Sequence, residues 1–241
     1  MGLYDRNYTN NTSDVNAAAG YAAAQDSALV KFVKLTYIFF GASLFFAFVG
    51  AVIGFYNLQF VVENRMMLFI VEIAALFGLM FSRSKPGLNV AMLFIFTLLT
   101  GVVATPLIYM VAAKSGVEVV VMAFAMTTIV FGVMSIFGIR TTKDLASMGK
   151  MLFITLLVVF ACSLVNLFLA YYYPNFGGFS IFQMLISGVA VVLFSVYVAY
   201  DTQNIIRGLY TSPVDAAISL YLDFYNIFMS LLSLIGLSNR D

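Results

Sequence analysis

Charge is scarce in this chain. Only 10% of its 241 residues are Asp, Glu, Lys or Arg, while 63% are hydrophobic. Soluble domains carry roughly 25% charged residues, so this chain has too little polar surface to cover a globule of its size. Histidine is missing altogether, which excludes His-ligated haem, His-ligated metals and His-based acid–base chemistry. Cysteine occurs once, as Cys162 in "VVFACSLVNL", so no disulfide or thiolate metal site can form within one chain. It reads as a small buried apolar residue. The net charge of +1 offers no attraction to nucleic acid and no basic patch for a membrane surface. No cofactor is expected.

The first 28 residues are polar and Ala-rich. They lack a basic n-region leading into an apolar h-region, so no secretory signal is expected. Arg6 stands where a myristoylation motif after Gly2 needs Ser or Thr. The sequons at Asn7 and Asn10 are accidental if this tail faces the cytosol. The reading for 1–28 is a disordered cytoplasmic tail.

What the chain does have is apolar runs of about 20 residues, the length a helix needs to cross ~30 Å of hydrocarbon. Seven can be read, roughly 32–56, 65–82, 88–110, 118–139, 150–172, 179–203 and 215–237. The breaks are "SRSKPG" at 82–87, "RTTKDLASMGK" at 140–150, "PNFGG" at 174–178 and "TSP" at 211–213. Short connections predict antiparallel neighbours in one all-α bundle over 29–241, embedded in a lipid bilayer. Arg6, Lys31, Lys34, Arg83, Lys85, Arg140, Lys143, Lys150 and Arg207 fall on the side of the N-terminus. Arg65, Lys114 and Arg240 fall on the other. Basic loops stay in the cytoplasm, so the N-terminus is expected inside and, after seven spans, the C-terminus outside.

Glu72, Asp201 and Asp223 remain at membrane depth, where ionisable residues usually mark a pathway, a proton site or a paired contact. At ~1.5 Å per helical residue, Asp201 lies about 9 Å from the boundary at Arg207, and Asp223 about 12 Å from the same boundary. The two carboxylates are therefore expected at similar depth on consecutive antiparallel helices. Ser219, Asp223, Asn226, Ser230 and Ser233 recur at steps of three and four, a polar stripe along the last helix. Tyr197, Asp201 and Asn204 share a face of the sixth. Single Ser and Asn residues serve as interhelical glue, but a whole stripe holding a carboxylate predicts the lining of a wet cavity. Glu72 and Arg83, eleven residues apart, share a face of the second helix. That makes Arg83 the nearest counter-charge for the aspartates. Two carboxylates so close titrate as a unit. They can hold a proton, a hard cation such as Ca2+, or the arginine, which predicts a pH-sensitive latch on a cation path.

Three stretches, "VMSIFGIRTTKDLASMGKML" (133–152), "AYDTQNI" (199–205) and "LYLDFYNIFMSLLSLIG" (220–236), resemble the Bax inhibitor-1, or transmembrane Bax inhibitor motif, family. The likeness is to its bacterial YccA-like branch and covers all seven spans. It implies a seven-helix fold with the last helix central and surrounded by the other six. It also implies a pH-sensitive calcium leak in the bacterial inner membrane. Asp201 and Asp223 would be its proton and calcium sensor, Arg83 its latch and Glu72 its acidic residue on the second helix. Bacterial relatives also restrain a membrane-anchored ATP-dependent protease, for which the tail is a suitable handle. Animal members carry a basic C-terminal tail; this chain ends "SNRD".

Two functions therefore compete: a leak channel or transporter for Ca2+, working as a monomer, and a non-channel regulator of a membrane protease. A retinal protein is excluded because the last span has no lysine for a Schiff base. An aspartyl intramembrane protease is excluded because Asp223 lacks a Gly-x-Gly-Asp context. No enzyme reading survives.

Overall fold

The computed structural model describes the backbone of residues 3–173 and 178–238, and the side chains of residues 25–169, 172–173 and 180–236. Among the described residues it is helical without strands. The helices are α1 (Leu3–Tyr56), α2 (Leu58–Glu63), α3 (Arg65–Ser82), α4 (Leu88–Ser115), α5 (Val117–Arg140), α6 (Gly149–Tyr172), α7 (Gly178–Ile206) and α8 (Pro213–Ser238). Seven of them are long and apolar enough to cross a membrane, all except the single turn and a half of α2. The chain is a polytopic bundle of seven transmembrane helices. The backbone of α1 runs back to Leu3 through an Ala-rich stretch of high helix propensity. The side chains expected to form a disordered tail lie mostly outside the described residues, as does most of the "PNFGG" break.

α8 is the central helix. Half of its spanning window is buried inside the protein, against 11–39% for the other six. It packs along α1, α4, α5 and α7, but not along α3 or α6. The expected ring of six thus closes as an inner ring of four, with α3 and α6 reaching the centre through side chains. Successive spans are not always neighbours either. α1 packs mainly on α4, and α7 lies between α5 and α6, which do not pack on each other.

Small residues decide these pairings. Lipid is as apolar as leucine, so helices in a bilayer associate where backbones can approach closely. A Cβ on Gly50 would collide with the Leu98 carbonyl oxygen, and one on Gly101 with the carbonyl of Ala47, locking α1 to α4. A Cβ on Gly138 would strike the Ala199 carbonyl, which fixes α5 against α7. Polar and aromatic contacts then seat α8. Tyr221 shares a short hydrogen bond with Thr100 of α4, and Tyr225 donates to the Thr100 carbonyl at 3.3 Å. Phe224 packs edge-on against Phe40 of α1 and Phe131 of α5, with centroids 6.0 and 5.7 Å away.

Candidate functional site

α8 starts where its sequence says it should. In Ser212-Pro213-Val214-Asp215 the Ser212 hydroxyl accepts the Asp215 N–H at 3.1 Å, and Pro213 fills the first helical position, where no N–H is needed. This start sets the phase of the helix, and with it the direction of the polar stripe.

The stripe turns toward α7. Between the two helices lies a cavity of about 590 Å³, lined by Ser219, Asp223, Asn226 and Ser230 of α8 and by Gln183, Ser187, Tyr197 and Asp201 of α7. Leu156, Val159 and Phe160 of α6 and Leu76 of α3 supply apolar wall. From Asp201 to Gln183 is eighteen residues, or ~27 Å of helix. The cavity therefore runs along most of a membrane thickness.

Asp201 and Asp223 meet at the N-terminal side of this cavity, carboxyl against carboxyl, and are 5% and 4% exposed. Two carboxyls in direct contact need a shared proton, a bridging cation or a donor between them. The Asp223 Oδ2 is buried without a hydrogen-bond partner. Above the pair sits Tyr210, in the turn between α7 and α8, with its hydroxyl against Asp201 and Ser219. Burial, and then the charge of Asp201, push that hydroxyl up from its ordinary range, so it stays protonated and able to donate. Calcium takes six to eight oxygens. Two carboxyls with Ser219, Asn226 and water offer oxygens of the right hardness for a passing ion. No cluster of three acidic, Cys or His residues is found among the described residues.

Arg83 does not reach Asp201. Its Nε lies 3.1 Å from Oδ1 of Asp215, in the first turn of α8, while the Thr211 hydroxyl donates to the other carboxylate oxygen at 3.0 Å. Asp201 is sealed beneath Tyr210, whereas Asp215 stands at the mouth, two turns or ~12 Å before Asp223. Glu72 also departs from its expected place. It is half-buried on α3 and close enough to Tyr221 and Tyr225 for its charge to bear on them. Those tyrosines lie about 200° around α8 from Asp223, so Glu72 is not part of the cavity. Asn204 turns away as well. It lines a separate pocket with Tyr200 and Tyr210, and its buried Oδ1 is unpartnered.

The α5–α6 connection is fastened to the last turns of α7, two residues beyond Asp201. Gln203 is fully buried, and its amide grips the loop twice. It accepts the Leu145 N–H at 2.8 Å and donates to the Lys143 carbonyl at 2.9 Å. Outside the membrane, Arg207 lies 2.5 Å from Asp144. That guanidinium, with the Ala146 N–H, holds the Asp144 carboxyl below the usual carboxylate range.

A family model described as "Inhibitor of apoptosis-promoting Bax1" matches residues 29–240, almost the whole bundle. The chain belongs to the Bax inhibitor-1 family. Among relatives of this Bax inhibitor-1 protein, one from Helicobacter pylori is 54% identical over the full length of both chains. One from Campylobacter jejuni is 42% identical over 98% of this chain and 97% of its own. The Escherichia coli protein named "Modulator of FtsH protease YccA" is 31% identical over 71% of this chain and 76% of its own.

Reading the Bax inhibitor-1 sequence by itself missed Asp215, Gln183 and Ser187. Asp215 was within reach, because it stands four residues before Ser219 and so extends the stripe by one turn. As an acid in a first turn it passes for a helix-dipole partner. Gln183 and Ser187 stand eighteen and fourteen residues before Asp201, on its face of α7, but no polar step between them continues the pattern.

Proposed function

We propose that this protein is a pH-sensitive leak for cations, with calcium as cargo, in the bacterial inner membrane. The observation that carries this reading is the contact of Asp201 and Asp223 at one end of a cavity that carries a stripe of polar side chains and follows α7 for ~27 Å. Ionised, the pair attracts a divalent ion and holds it; protonated, it does neither. Asp215 faces Arg83 at the mouth, an ion pair that ties the end of α3 to the start of α8. Proton uptake by the aspartate pair therefore releases the ion, and acid opens the path. Tyr197 and Tyr210 also face the pair, and the Tyr210 hydroxyl, in the turn outside the spans, stays a neutral donor. The protein works as a monomer, with the N-terminus in the cytoplasm.

The test is calcium uptake by liposomes containing the purified full chain, followed against pH. Flux should rise as the pH falls. Asp201→Asn and Asp223→Asn should each abolish the pH dependence while the protein stays folded, because an amide fills the same space without titrating. A pH response unchanged in either variant sinks the sensor.

A second reading is favoured by the name of the Escherichia coli relative. In it the protein restrains a membrane-anchored ATP-dependent protease, and the aspartates serve packing alone. It expects no ion flux in liposomes, and slower substrate turnover when protease and protein share one bilayer.

A further inference from the structure

A second cavity, of about 360 Å³, continues from the first. Three uncharged side chains line both: Gln183 and Ser187 of α7 and Ser230 of α8. Beyond them the second cavity passes Ser233 and ends beside Gly236, near the far end of α8. No charged residue lines it among the described residues.

The three side chains are held in place. Asn166 of α6 donates through Nδ2 to Gln183 Oε1 at 2.8 Å, and Gln183 Nε2 donates to Ser187 Oγ at 3.4 Å. Asn166 is 6% exposed, and its Oδ1 has no partner. An acceptor left buried without a partner is costly. Besides bonding one another, Gln183 and Ser187 line both cavities, as does Ser230 of a third helix. Reversing both amides keeps the Asn166–Gln183 bond, so the same frame can offer the path either the oxygen or the nitrogen of Gln183.

We propose that Gln183, Ser187 and Ser230 form an uncharged collar where the permeating cation exchanges part of its water for amide and hydroxyl oxygens. This rests on the cation-leak reading. The collar and the aspartate pair then divide the work. The pair, ~10 Å from Ser230 along α8 and ~27 Å from Gln183 along α7, responds to pH. The collar sets which cation passes, because a neutral site of this kind is strong enough to replace water and weak enough to release the ion.

Gln183→Glu keeps the size of the side chain and puts a charge in the collar. In liposomes containing the full chain, it should change the Ca2+-to-K+ flux ratio by about fivefold or more, in favour of Ca2+. Ser230→Ala should lower Ca2+ flux about threefold or more. In both, the midpoint of the pH dependence should stay where the parent has it, whereas Asp201→Asn removes that dependence. A packing role cannot alter the ion ratio while leaving the pH midpoint in place. A conducting parent whose ion ratio is the same in Gln183→Glu, and whose flux is the same in Ser230→Ala, overturns the collar alone. A parent that conducts no cation at any pH overturns the leak reading and the collar together. Should Gln183→Glu fail to fold, unchanged flux in Ser230→Ala is enough to reject the collar.

Discussion

Arg83, immediately after α3, and Asp215 of α8 form an ion pair across the N-terminal mouth of the bundle, at 3.1 Å. The arginine is half exposed and the aspartate nearly buried. α3 does not pack along α8, so this contact is the tie between the second span and the central helix at that end.

Removing the tie should open the mouth. Arg83→Ala and Asp215→Asn are each expected to raise calcium flux at neutral pH toward the level the parent shows in acid. The pair is half solvated and is worth about 1 kcal/mol or less, so thermal stability in detergent should hardly move. The exchange Arg83→Asp with Asp215→Arg should restore part of the closure, while Arg83→Asp with Asp201→Arg should not. Flux at neutral pH decides between them.

Gln203 is expected to be costly to replace. Gln203→Leu strands the Leu145 N–H and the Lys143 carbonyl, two groups that the amide now satisfies. At ~1–3 kcal/mol for each group left unpaired, the loss should be about 2–6 kcal/mol. Gln203→Glu keeps the acceptor for Leu145 and should lose less. Unfolding in detergent, with the three proteins side by side, gives the order.

The Asp144–Arg207 pair sets a pH window for the loop it closes. Arg207 holds the Asp144 carboxyl below its ordinary range, so folding is favoured by this pair above the unfolded value of ~3.9. The contribution fades as the pH falls through the lower, folded value. Hydrogen exchange at the Ala146 amide, which donates to Asp144, should show protection that persists through the ordinary carboxylate range and is lost as the pH falls through the lowered, folded value. Arg207→Gln should shift that loss to higher pH. Equal profiles for the two proteins would mean that the pair does not order the loop.

The termini should lie on opposite sides, the N-terminus in the cytoplasm and the C-terminus in the periplasm. Reporter fusions at each end read this directly. A cytoplasmic signal from both would show that α8 re-enters, and the cavity would then not lead across the membrane.

The periodicity of this chain alone determined that seven helices span the bilayer, and where six of them begin and end to within about five residues, whereas α1 runs back to Leu3, well before the expected start at 32. It also determined which residues share a face of one helix, so the stripe from Ser219 to Ser233 and the common depth of Asp201 and Asp223 were legible without coordinates. The rotation of one helix against another was not. That depends on close approaches such as Gly138 against Ala199, whose partners lie on distant stretches of chain. Tertiary structure therefore decided that Arg83 takes Asp215, that Glu72 turns to Tyr221 and Tyr225, and that Asn204 leaves the cavity while Gln183 and Ser187 enter it. A helical repeat specifies angles about one axis. Only packing specifies the angle between two.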